Sequence, residues 1–172
     1  MTTPAPTRPA TEQADQRSRM PNPLRHVPEM AKVAEVLHTA VADGPIPATT
    51  VSLVQLRAGQ LLGSTYFTVR DAADLRRAGE SEERISAVAT WRDAPYFTGA
   101  ERSALELVEA VLTPNPTGER VSDEVYARAA EHYDDRELWS LVMVIGRLGL
   151  FTPAALIAKP IPGRVPGENY SD

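Results

Sequence analysis

From Met30 to Ala158 apolar residues recur every three or four positions, and each run opens or stops at a residue that punctuates helices. No segment alternates convincingly with a period of two, so no strand is predicted and the fold class is all-α. Met30, Val33, Leu37 and Val41 form the first stripe, which Gly44-Pro45 stops. A second helix is predicted from about Ala48 to Leu62. Its Val51, Val54, Ala58 and Leu61 share one face and Leu53 and Leu56 another, so it should be buried broadly.

Gly63 breaks that run, and Ser64 can cap a third helix ending at Gly79. Ser81 caps a fourth that runs toward Trp91. Thr98 with Glu101 makes a capping box for a fifth, whose Ala104, Leu105, Val108, Val111 and Leu112 line one face until Pro114 and Pro116. A sixth starts near Ser122. Asp134 with Glu137 opens the longest apolar stretch, with Leu138, Leu141, Val142, Ile145 and Leu148 on one face and Trp139, Met143 and Val144 on another. A helix so apolar is expected to be central or to lie at a subunit contact. Pro153 cannot donate to the carbonyl of Gly149, so a kink or a helix end is predicted there.

Outside this span the pattern fades. Residues 1–20 are rich in Pro, Thr, Ala and charge and are expected to be disordered. Residues 21–158 form one helical domain. Pro160, Pro162 and Pro166 break up residues 159–172, which are expected to lie on the surface as an extended arm.

Several chemistries are excluded or disfavoured by what the chain contains. It has no cysteine, which removes disulfides, thiolate nucleophiles and cysteine-ligated metals. Its three histidines, His26, His38 and His132, stand in no ligand spacing, so no metal and no cofactor are implied. A net charge of −5, with arginines scattered among carboxylates, predicts no nucleic-acid partner. No apolar run approaches the roughly 18 residues that span a bilayer, and the N-terminus lacks the apolar core of a signal peptide. No membrane association and a cytoplasmic location are the expectations.

Residues 53–111 carry LRAGQ, RRAGESEERI, ATWRDAPYFT and ERSALELVEAV in that order. With these pieces the chain resembles the alkylhydroperoxidase D-like, or carboxymuconolactone decarboxylase, superfamily, in particular its small peroxidase-like branch. The resemblance extends more weakly from Asn22 to Ala158. It implies a helical bundle of about seven helices that usually forms a homo-oligomer.

In the redox members of that family, Cys-x-x-Cys-x-x-x-His opens a helix just after the glycine. The helix N-terminus lowers a thiol pKa, and the spacing sets both sulfurs and the imidazole on one face. Matched through Gly63, the resemblance places the first cysteine at Ser64, the second at Phe67 and the histidine at Asp71. A further histidine of some members falls on Tyr66, and a glutamate of the preceding helix on Ser52. All five positions differ from the family pattern. The asparagine and tryptophan common near the end of the last helix are also missing from LGLFTP, residues 148–153.

Ser52, Ser64, Tyr66, Phe67 and Asp71 are therefore the candidate pocket at the former redox centre. Ser64 reads most simply as an N-cap and Phe67 as a pocket wall. Asp71 lies between Phe67 and Leu75 on an inward helical face and needs a cation, with Arg57 or Arg147 as expected partners. Two functions remain. One is a redox-inactive helical oligomer that binds a small apolar molecule or a protein partner. The other is a cofactor-free isomerase, decarboxylase or cyclase using Asp71 and Tyr66 as acid–base groups.

Overall fold

The computed structural model describes residues 17–171. Seven α-helices follow one another: α1 (Met30–Ala42), α2 (Ala48–Leu61), α3 (Thr65–Arg77), α4 (Glu82–Ala87), α5 (Gly99–Leu112), α6 (Asp123–Ala130) and α7 (Asp135–Ala158). Short 3-10 turns at Pro23–Arg25 and Val88–Thr90 complete the regular structure, and no strand occurs among the described residues. The all-α reading holds, and the helix starts fall where their capping residues place them. Ser64, Ser81, Thr98, Ser122 and Asp134 each accept a backbone N–H of the helix they open. Thr98–Glu101 and Asp134–Glu137 form complete capping boxes.

Helix α2 is the hub, packing on α3, α5 and α7. Its two apolar faces feed two cores. Val54 and Ala58 join Phe67, Val108, Leu141 and Leu148. Leu53 and Leu56 join Leu75, Val88, Trp91 and Leu105. The sharp return from α2 into α3 uses Gly63 at φ +66°, a left-handed conformation that costs glycine least. It brings α3 so close that a Cβ at Gly59 would stand 3.0 Å from the Phe67 Cβ and from the Thr68 nitrogen.

The chain departs from expectation in three places. Helix α7 continues through Pro153 to Ala158, so it does not end there. The hydroxyl of Thr152 donates to the Leu148 carbonyl at 2.6 Å, and Gly149, whose carbonyl loses its donor, lies on the exposed face where water can serve it.

Second, α7 is long and apolar enough to cross a bilayer by length and composition, with a mean hydropathy of 2.0 over its best window. The contrary expectation rests on uninterrupted apolar runs, which Arg147 and two glycines break without lowering the average far. Core helices meet the same test, and α7 packs on α1, α2 and α6.

Third, residues 159–171 form no extended surface arm. Lys159 turns the chain in the left-handed region, and the segment folds back in turns that bury Ile161 and Asn169. The expected disorder of residues 1–20 lies outside the described residues for 1–16. Ser18 exchanges hydrogen bonds with Ser171, and the Arg19 amide donates to the Ala158 carbonyl at 2.7 Å.

Candidate functional site

A cleft of about 770 Å³ opens between α1, α2, α3 and α7, and the C-terminal turn at Gly163–Pro166 closes one side. Most of its wall is apolar, with Val41, Ile46, Val51, Leu148 and Phe151 among the contributors. Of the five candidate positions, Ser52 and Phe67 line the cleft. Ser64, Tyr66 and Asp71 do not line it.

Helix α3 positions four of the five. Ser64 is buried and caps the helix, its Oγ accepting the Phe67 N–H at 3.4 Å. Tyr66 and Phe67 follow as a tilted aromatic pair, 5.7 Å between centroids. Burial holds the Tyr66 hydroxyl above the usual tyrosine range, and the hydroxyl accepts a hydrogen bond from the Asn169 side chain. Asp71 has no exposed surface.

The partner of Asp71 is Arg70. Its Nε and terminal nitrogen donate to the two carboxylate oxygens at 2.9 and 3.1 Å, a bidentate pair. Neither expected partner takes this place. Arg57 turns the other way, to Glu109, with Nε–Oε1 at 2.6 Å, and the same carboxylate receives the Trp91 indole N–H and pairs with Arg92. Arg147 forms no direct pair with Asp71 and acts on it only through its field. Burial outweighs the guanidinium and pushes the Asp71 carboxyl up to about 6. The Arg70 guanidinium lies over the Phe67 ring, 4.8 Å from its centroid, so it covers Asp71 and forms part of the cleft wall.

Two further polar side chains stand on the cleft wall, Gln55, not singled out from the sequence, and Arg147, expected only as a partner of Asp71. Gln55 of α2 is almost fully buried, and its Nε2 has no hydrogen-bond partner among the described residues. Arg147 of α7 is half-buried there, and burial, then the neighbouring Arg70, holds it below the usual arginine range. Gln55 had one legible signal, a lone amide in the apolar run LVQL. No group of three or more His, Cys, Asp or Glu side chains converges as a metal site among the described residues.

The sequence model of the carboxymuconolactone decarboxylase family matches residues 28–110. The uncharacterized protein YdfG of Bacillus subtilis is 32% identical over 122 residues, which cover 70% of this chain and 81% of that one. The chain belongs to the carboxymuconolactone decarboxylase family. The uncharacterized protein YnjA of Escherichia coli is also 32% identical, over 59% of this chain and 54% of its own length.

Solved structures agree on the fold. ATU0492 of Agrobacterium tumefaciens, a protein of unknown function grouped with the antioxidant-defence protein AhpD, superposes with a TM-score of 0.77. It is 24% identical, covering 87% of this chain and all of that one. The debrominase Bmp8, a cysteine-to-alanine variant in complex with 2,3,4-tribromopyrrole, superposes with a TM-score of 0.65 at 16% identity, over 73% of this chain and 66% of its own. This chain has no cysteine with which to do thiol chemistry.

Proposed function

We propose that this chain is a thiol-free member of the carboxymuconolactone decarboxylase family that binds a small, largely apolar molecule in the cleft beside Phe67. One observation carries the reading. The aromatic ring at the second-cysteine position forms a wall of an open cleft of about 770 Å³ and does not plug it. That volume lies within the range of small-molecule pockets, and the lining is mainly apolar, as such pockets are. A tribromopyrrole held by a protein of the same fold gives a precedent for a small aromatic occupant.

Uptake of the neutral fluorescent probe phenyl-naphthylamine tests the reading. Ser52→Trp fills the cleft and should abolish uptake while the helical circular dichroism signal persists. A wild-type chain that takes up no probe, or a Ser52→Trp chain that takes up as much, would overturn it.

Association of copies through α7 belongs to the same proposal. Trp139, Val142, Leu150 and Ile157 are exposed on one side of α7, opposite its buried Leu141, Val144 and Leu148. Sedimentation should give a species larger than 18.7 kDa that Leu150→Glu returns to monomer. The acid–base reading through Asp71 and Tyr66 draws support from the carboxyl's position near pH 6. It requires Arg70 to swing aside, because Asp71 does not reach the cleft.

A further inference from the structure

The cleft wall carries more positive charge than its apolar lining needs, and the cations differ in what they already hold. Arg70 is committed to Asp71, and Arg77 to Asp74. Arg164 is exposed at the rim, where Glu35 of α1 is also exposed. Arg147 is different. It projects from the middle of α7, half-buried, and makes no hydrogen bond or ion pair among the described residues. Burying a guanidinium without a partner is costly, and proteins seldom leave one so placed.

On the wall of the same cleft is Gln55, 3% exposed, with an Nε2 that meets no acceptor among the described residues. A polar atom is thus left unmatched in a setting where buried amides are nearly always bonded. A cation with no direct partner and a glutamine whose shielded amide donor is unmatched therefore line one apolar cleft. Each lacks the same thing, an oxygen acceptor, and the cation needs that acceptor to be anionic.

We infer that the cleft takes a small monocarboxylate, its apolar body against Phe67 and Phe151 and its carboxylate held by Arg147 and, once the Gln55 amide turns toward it, by Gln55. The inference rests on the proposed binding role of this cleft and names the class of its ligand. A planar singly charged oxyanion matches the fork of one guanidinium, with the amide N–H as a further donor. A phosphate dianion would call for a second free cation at depth, and Arg70 is held by Asp71. Burial and the Arg70 field outweigh the fields of Asp71 and Asp74 at Arg147, and an anion in the cleft would offset them.

The test pairs acids with neutral isosteres: phenylbutyrate against phenylbutanol and octanoate against octanol, titrated calorimetrically into the full chain near neutral pH. Each acid should bind at least about tenfold more tightly than its alcohol, the scale of one charged hydrogen bond. Arg147→Met should bring acid and alcohol together by weakening the acids, and Arg147→Lys should keep part of the preference. Gln55→Met should weaken the acids alone.

Acids and alcohols that bind alike to the wild type, or a preference that survives in Arg147→Met, overturn the inference and leave the cleft's binding role standing. No binding by either series, together with no uptake of phenyl-naphthylamine, overturns both. Should Arg147→Met fail to fold, the wild-type preference for acid must still shrink as salt is raised. A preference indifferent to salt and to Arg147→Lys counts against it.

Discussion

The side-chain amide of Asn169 donates a hydrogen bond to the Tyr66 hydroxyl at 3.0 Å, joining positions 103 residues apart. Asn169 is buried, and its Oδ1 in turn accepts the Gly167 amide, so the contact fastens the C-terminal turns over the N-terminal half of α3. Through it the segment that closes one side of the cleft is tied to the helix that forms its wall.

Tyr66→Phe removes the acceptor and leaves a buried amide N–H unmatched, which should cost about 1–3 kcal/mol. Asn169→Ala should cost a similar amount, and the double variant less than the sum of the two. Urea melts of the three proteins measure this. Melts that superimpose on the wild type would show that the tether contributes nothing to stability.

Asp71→Asn tests the balance between burial and pairing. The carboxyl titrates near 6 in the fold against 3.8 in the unfolded chain, so the folded state binds the extra proton between those values. Ionised Asp71 therefore weighs against the fold as pH rises, by about 3 kcal/mol once pH passes 6. Arg70 is partly solvent-exposed, so removing its partner does not strand a fully buried cation. The Asn variant should gain on the wild type between about pH 4 and about pH 8, and be no less stable at the upper end. Parallel denaturant melts across that range decide it, and a constant difference between the two proteins would sink the prediction.

The helices were legible because their ends are local. A Ser, Thr or Asp and the three residues after it suffice to form a cap, and Ser64, Ser81, Thr98, Ser122 and Asp134 all act so. The site was less legible because its contacts are not set by helical spacing. Adjacent residues on a helix point about 100° apart, which disfavours Arg70 as a partner for Asp71, yet a long guanidinium stem can fold back. Arg57 looked available from the sequence, where nothing signals that Glu109 of α5, fifty-two positions away, would claim it. The Asn169–Tyr66 tether depends on where the C-terminal turns return, which no local pattern encodes.

Gly59→Ala should strain the closest approach of α2 and α3. The added methyl would stand 3.0 Å from the Thr68 backbone nitrogen, which cannot move without shifting α3. Overpacking of this kind costs about 1–3 kcal/mol, more than the gain in helix propensity from glycine to alanine returns. A thermal melt reads the balance, and a raised melting temperature would mean that the helices part readily.

Restoring sulfur at the start of α3 is the sharpest test of what the fold keeps of the redox centre. The parent chain, without cysteine, should reduce no peroxide with any dithiol. In Ser64→Cys with Phe67→Cys, the two thiols would occupy the cap position and the third residue of α3, where the Ser64 side chain already reaches the residue 67 amide. A thiol at position 64 faces the first turn of a 13-residue helix, whose dipole favours the thiolate. Burial raises a thiol pKa at both positions, and only at 64 does the helix N-terminus oppose it directly. The rate of iodoacetamide labelling against pH should therefore resolve two unlike thiols, the one at 64 titrating about a unit or more below the usual 8.5. Mild oxidation should join them, with the mass falling by two hydrogens. Thiols that titrate alike, or that stay apart in the folded protein, would mean that α3 has lost the geometry along with the sulfur.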